Sequence, residues 1–224
     1  MPYDQQSPIN LANPVVTVSA PGALSIHWGT GPLDGIVTKD SHGAKVVFPL
    51  DPSRYLSLDG HRFALRSFHF HHPSEHLLNG RQMPLELHIV HQDLSTCALA
   101  VLGVFFDLAD TGHKKSKAFV EELGKKLAGI EPEAKGKDTI PPIIRVRPSD
   151  LLPSEGHAEY FRYEGSLTTE PFTETVSWVV LRHPVRRTQE ELSGLVGAFH
   201  SEARGIQPLN RRFLLANFDP ESAE

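Results

Sequence analysis

Phe68-His69-Phe70-His71-His72-Pro73-Ser74-Glu75-His76 and Leu85-Glu86-Leu87-His88-Ile89-Val90-His91 decide how this chain is read. In an extended strand, alternate side chains share a face. His69 and His71 then point one way, and Phe68 and Phe70 the other. Two residues of strand rise separate the two histidines by roughly 6.5–7 Å at Cα, so their imidazoles can converge on one ion. The second stretch reads as a strand or a helix. As a helix it would put His88 and His91 on one face. Ile89-Val90 and the alternation of Glu86, His88 and Val90 favour a strand. Asn79-Gly80, between the stretches, is a turn signal, and an antiparallel return sets His88 beside the first pair.

Further short apolar or alternating runs flank this centre at Val15–Val18, Ala44–Leu50, Phe63–Phe70, Glu86–Val90 and Ala98–Phe106, cut by Gly, Pro and Asp. They read as strands. Residues 1–14 are polar and proline-broken, an extended lead-in. Phe119, Leu123 and Leu127 recur at helical spacing over 114–128, which predicts an amphipathic helix. Pro132–Pro153 reads as a long surface connection with one strand near Ile143–Val146. Another strand is expected over Thr175–Leu181. Thr188 and Glu191 form a capping box ahead of Leu192, Leu195, Val196 and Phe199 on one helix face. Arg212–Phe218 is strand-like. No repeat or clean linker divides the chain, so one mainly β domain is expected over residues 1–224.

Composition narrows the function classes. Apolar residues at 39% and charged residues at 22% are ordinary for a globular protein, and a net charge of −5 without a basic stripe gives no grip on nucleic acid. No apolar run reaches the roughly 18 residues of a membrane span. Met1-Pro2-Tyr3-Asp4-Gln5-Gln6 has neither the basic nor the apolar region of a signal peptide. The single cysteine, Cys97, cannot close an internal disulfide, and its apolar neighbours read as surrounding a buried, inert thiol. These features predict a cytoplasmic protein.

Three neutral imidazoles on strands suit zinc and leave a fourth tetrahedral position for water, the pattern of a catalytic rather than a structural site. There is no CxxC pair and no HExxH, so zinc-finger and metalloprotease readings have no support. A lone strand histidine is more often a core or surface residue than a ligand. His72, His76 and His91 are left in that ordinary role. Glu86, two residues before His88 on the same face, is placed to accept the other N–H of a ligating ring. Ser67 stands likewise before His69, with a shorter reach.

These residues resemble the α-carbonic anhydrases: a His-x-His strand, a Ser-Glu-His turn and a Glu-Leu-His-hydrophobic-Val-His strand, in order. Further likenesses are Gln6-Ser7-Pro8-Ile9-Asn10, Ala100-Val101-Leu102-Gly103-Val104-Phe105, Tyr163-Glu164-Gly165-Ser166-Leu167-Thr168-Thr169 with Val176-Ser177-Trp178, and Gln207-Pro208-Leu209-Asn210. The shortened turn after His71 is more like bacterial and plant members. The resemblance implies a large central twisted, mostly antiparallel sheet with a few peripheral helices. It implies Zn2+ on His69, His71 and His88, and reversible hydration of CO2 to bicarbonate by zinc-bound hydroxide. Thr168 would accept a hydrogen bond from that hydroxide and pass its own proton toward Glu75. Val90, Val101, Leu167, Thr169, Val176 and Trp178 would line the CO2 pocket. His42, in Lys39-Asp40-Ser41-His42-Gly43, falls at the proton-shuttle position. Arg204 is assigned packing only. Sulfonamides and anions are the implied inhibitors, and the bacterial likeness suggests a homodimer.

The chain also departs from the family pattern. The tryptophan-tyrosine segment ahead of the N-terminal signature is missing. Lys39-Asp40-Ser41 replaces Asn-Asn-Gly, His72 replaces a tryptophan, Ser67 a glutamine and Glu170 a proline, and Phe172 stands where secreted members often carry a disulfide cysteine. None of these touches a ligand, Thr168 or Glu75. The competing readings are a catalytically weak or inactive carbonic-anhydrase-related binding or scaffold protein, and an esterase using the same zinc hydroxide.

Overall fold

The period-two alternation of the histidine stretches runs through the centre of one large sheet. The computed structural model of the chain describes residues 4–17, 23–40, 43–110, 123, 142–153, 159–196 and 203–220. Among these, thirteen strands form a mixed sheet whose main path is Ile143–Val146, Leu33–Asp40, Gly43–Val47, His61–His71, Leu85–Gln92, Leu99–Leu108, Val176–Leu181, Tyr160–Gly165, Leu215–Ala216 and Val15–Val16. Tyr55–Leu58 also pairs with His61–His71, Leu24–His27 with Tyr55–Leu58, and Val185–Arg187 with Leu99–Leu108. Pairing is antiparallel except where Leu99–Leu108 meets Val176–Leu181 and Val185–Arg187, and where Leu215–Ala216 meets Val15–Val16. A small second sheet joins Asn10–Leu11, Leu77–Leu78 and Arg81–Gln82.

The alternation sorts the core into two clusters, one per face. Phe68, Phe70, Leu87, Ile89, Leu102, Val104, Phe106, Val179 and Leu181 pack together on one side. Val101, Phe105, Phe161, Tyr163, Val176, Trp178 and Val180 pack on the other, with Ile9 and Leu11 of the lead-in. Burial of each large apolar side chain contributes about 1.5–3 kcal/mol, and the central strands are covered on both faces. That is why Leu85–Gln92 is buried almost throughout, where a sheet with one wet face would alternate buried and exposed.

Helix Gln189–Val196 begins as expected. The Thr188 N–H donates to Glu191 Oε2 (2.8 Å), and the Glu191 N–H donates to Thr188 Oγ1 (3.3 Å). Leu192 and Leu195 are buried against the Phe68 face. Of the stretch 114–128, only Leu123 lies within the described residues, helical and buried.

Several expectations need correction. Cys97 is exposed. The strand begins only at Leu99, and Cys97 sits in the preceding turn at φ +63°, its N–H donating to the Asp93 carbonyl (2.9 Å). Apolar neighbours in sequence gave it no cover, because the turn turns it outward. In Arg212–Phe218 only Leu215–Ala216 is a strand, the only two residues of the run that pair with Tyr160–Gly165 and Val15–Val16. The described part of Pro132–Pro153 contains the strand Ile143–Val146 with Ile144 and Val146 buried, and then a 3-10 turn, Pro148–Leu151. Leu33–Asp40, Tyr55–Leu58 and Tyr160–Gly165 are strands that local reading did not single out. Their mixed polar composition hides the period.

Candidate metal centre

Register brings the three histidines together. His69 pairs directly with His88, and Glu86 with His71, across the antiparallel join of His61–His71 and Leu85–Gln92. Directly opposed residues share a face, so all three rings and Glu86 stand on the side opposite Phe68 and Phe70. The ring centroids are 4.8 Å (His69–His71), 5.3 Å (His69–His88) and 4.5 Å (His71–His88) apart. One nitrogen from each ring lies within 4.8 Å of the others.

The protonation pattern follows from Glu86. This buried carboxylate accepts the backbone N–H groups of Glu75 and His76 on Oε2 (both 2.9 Å), and faces His76 Nδ1 (2.7 Å) and His88 Nε2 (2.9 Å) with Oε1. Burial alone would raise its pKa. The adjoining His76 and His88 outweigh burial and hold it well below the usual carboxylate range. An ionised carboxylate only accepts, so both ring nitrogens carry protons, and the lone pair of a neutral His88 is left on Nδ1. Burial, with the His88 charge second, drives His69 down to about 3 and His71 well below its ordinary value. Both are therefore neutral with lone pairs to offer, although His69 keeps partial exposure. His88 is opposed by burial, but the Glu86 charge and hydrogen bond raise it.

Gly103 opposes His88 on the next strand. A Cβ there would lie 3.2 Å from both Glu86 Oε1 and Val180 Cγ2, so the absent side chain leaves room for the carboxylate. Trp178 covers the other side, with ring centroids 4.8 Å from both His88 and His76.

Glu75 comes from a braced turn. The Ser74 hydroxyl donates to the His76 carbonyl (2.8 Å) and accepts the Met83 N–H (2.9 Å). Glu75 Oε2 lies 3.5 Å from His71 Nε2 and 3.8 Å from His88 Nδ1, and takes no hydrogen bond among the described residues. Oε1 accepts the Arg204 N–H (3.0 Å). Burial raises the Glu75 pKa, offset in part by His88, the Thr168 hydroxyl and the Arg204 N–H. Thr168 is itself buried, in a loop closed by the Leu167 N–H on the Thr173 carbonyl (3.0 Å).

Val101, Val176 and Trp178 are buried in one cluster, against which the half-buried Val90 and Leu167 pack. Thr169 is half-buried, its carbonyl accepting the Phe172 N–H. Ser67 is half-buried opposite Val90 and Val47. His42 lies outside the described residues. His72 is exposed, its Nδ1 against the Pro84 carbonyl. His91 is buried on the opposite face, accepting the Trp28 indole N–H (3.1 Å).

Arg204 does more than pack. Besides holding Glu75 through its N–H, it donates through its guanidinium to the Ser7 carbonyl (2.7 Å) and Gln6 Oε1 (2.8 Å), over the Phe172 ring. The parts of the site that local reading missed are Ser7, His76, Tyr163 and Gly103. Only the resemblance's ordered motifs touched them, without a role.

The donor set fits zinc: two imidazoles held neutral by burial and a third whose tautomer is fixed by a carboxylate, beside a buried carboxylate oxygen that takes no hydrogen bond among the described residues. A family profile described as eukaryotic-type carbonic anhydrase matches residues 3–218. Alpha carbonic anhydrase 7 of Arabidopsis thaliana is 32% identical over 216 residues, covering 94% of this chain and 74% of the relative. The α-carbonic anhydrase of Thermovibrio ammonificans, solved with the inhibitor sulfanilamide, superposes at a TM-score of 0.74 with 34% identity, covering 95% of this chain and 87% of that one. Dioscorin, solved with ascorbate, superposes at 0.76 with 27% identity, covering 97% and 87%.

Proposed function

The chain belongs to the eukaryotic-type carbonic anhydrase family, and on that premise we propose that it catalyses the reversible hydration of CO2 at zinc held by His69, His71 and His88. The observation that carries this reading is the convergence of three imidazoles within 4.8 Å on the face that also holds Glu75, Glu86 and Thr168. When bound, zinc would supply a water acidified enough to act as nucleophile, the effect for which carbonic anhydrases are the reference case.

The chain's own groups would do the rest. Glu86 keeps His88 in the tautomer whose Nδ1 faces the centre. Thr168 has one hydroxyl proton, and ionised Glu75 can only accept it. The Thr168 oxygen is then left to accept from the attacking water and aim it. Positive charge at the ligand cluster favours the ionised form of Glu75. Val90, Val101, Leu167, Val176 and Trp178 give CO2, an apolar molecule, a dry wall, with Thr169 at its rim. His42 would carry the released proton to buffer, because an imidazole titrates in the right range. An aromatic sulfonamide would bind with its nitrogen at the three-imidazole centre.

The test is stopped-flow CO2 hydration on the purified protein, before and after removal of metal and return of zinc. Activity that is lost with the metal and restored by zinc supports the reading. A chain that binds one zinc and hydrates no CO2 overturns it, and favours a carbonic-anhydrase-related binding protein.

A further inference from the structure

A buried line of polar groups leaves the metal centre and ends in the N-terminal segment. His88 Nε2 meets Glu86 Oε1 (2.9 Å), Glu86 Oε1 meets His76 Nδ1 (2.7 Å), and His76 Nε2 meets Tyr163 Oη (2.7 Å). Tyr163 Oη then lies 2.9 Å from Ser7 Oγ. Ser7 Oγ accepts the Ser166 N–H (3.0 Å), and the Ser7 N–H donates to Ser166 Oγ (2.9 Å). Every member is buried. A second line runs from the same place: the Ser7 carbonyl and Gln6 Oε1 take the Arg204 guanidinium, and the Arg204 N–H holds Glu75. Both carboxylates of the site are therefore tied to one dipeptide more than sixty residues away in sequence. The backbone is shaped for this docking. A Cβ on Gly165 would stand 2.2 Å from Ser7 Oγ.

We propose that Gln6-Ser7 is a positioning element for the metal centre, so that docking of the N-terminal segment and metal binding at His69, His71 and His88 favour each other. The proposal rests on the zinc reading above. Its physical basis is the ordering of His88. A ligand ring held in one rotamer and one tautomer loses less freedom when it takes a metal. Glu86 fixes that tautomer, His76 fixes Glu86, and Tyr163 with Ser7 fixes His76. Removing Ser7 Oγ leaves the Ser166 N–H without its acceptor and Tyr163 with one partner fewer, in a place water does not reach. Coupling of this kind is reciprocal: metal binding must hold the N-terminal segment down as strongly as the segment steadies the metal.

The experiment measures zinc affinity by competition with a chromophoric chelator, for the wild-type chain, Ser7→Ala, Tyr163→Phe and the double variant. Each single substitution is expected to weaken zinc binding by about three- to tenfold, below the roughly 10–100-fold of groups that touch a ligand directly. The double variant should fall short of the product of the two, because both cut one line. If the variants melt earlier without metal yet bind zinc as the wild type does, Ser7 is merely structural and the proposal fails. The second measurement needs no variant: hydrogen exchange at the Ser7 amide, with and without zinc. Slower exchange on zinc loading supports the coupling, and equal exchange overturns it. A wild-type chain that takes up no zinc overturns the metal reading itself, and this inference with it.

Discussion

The two faces of the same strands behave as different regions of the molecule. On one, Phe68, Phe70, Leu87 and Ile89 meet Leu102, Val104 and Phe106 in an apolar core, with the His91–Trp28 pair buried at its side. On the other, one residue along, His69, His71, Glu86 and His88 form a polar cluster in which Glu86 takes four N–H groups and the three rings converge. The backbone, its pairing and its rigidity are common to both. One face gains its free energy from excluding water. The other is a set of charges and lone pairs that would be costly to bury anywhere less ordered. The packing face holds the strands still, and the polar face uses that stillness.

If this division is right, substitutions on the two faces should fail in different ways. The largest effect is expected from His71→Ala, which removes a proposed zinc ligand. CO2 hydration should fall by about 10³-fold or more with loss of bound zinc, while the metal-free protein stays folded. Zinc analysis and circular dichroism on one sample decide it. Phe70→Ala, its neighbour on the other face, should cost about 3–5 kcal/mol of stability, read by thermal unfolding, with one zinc still bound per folded molecule. Loss of zinc at unchanged stability in this variant would break the comparison. Glu86→Gln keeps the shape and removes the charge. A loss of roughly 10–100-fold in zinc affinity is expected, seen in chelator competition.

Two smaller effects sharpen the picture. His42→Ala should slow hydration about tenfold in weak buffer, with added imidazole restoring the rate. No loss in weak buffer removes His42 from the mechanism. His91 is the histidine of the packing face, held neutral by burial at a pKa of about 4. Its folded value lies below the unfolded one, so the unfolded chain binds more protons between them. His91 alone should therefore take about 3 kcal/mol from the stability of the metal-free protein as pH drops from about 6.5 toward 4, with the buried His69 and His71 adding losses of the same sign. Urea unfolding of His91→Gln should show a flatter curve over that window.

Much of the site was legible in the sequence. The alternation at Phe68–His71 and Glu86–Val90 puts the three histidines and Glu86 on one face, and the capping box at Thr188–Glu191 is formed. Strands of mixed composition, such as Leu33–Asp40 and Tyr160–Gly165, were missed because neither their apolar period nor their turn residues stand out. Cys97 was misread because an apolar neighbourhood in sequence is not a cover in space. Arg204 reads as packing because its backbone N–H on Glu75 leaves no trace in residue type, and its guanidinium partners Ser7 and Gln6 stand 197 and 198 positions away.

The division follows from distance along the chain. Side-chain direction in a strand depends on a residue and its immediate neighbours, so the sequence alone determined which residues share a face and which three histidines can converge. The partners of those residues depend on how the sheet closes. His76 meets Tyr163 across 87 positions, Glu75 meets Arg204 across 129 and Tyr163 meets Ser7 across 156. No local period encodes such pairs. They exist because burial of both faces forces distant strands and the N-terminal segment into one register, and a polar group trapped there must find whichever partner that register supplies.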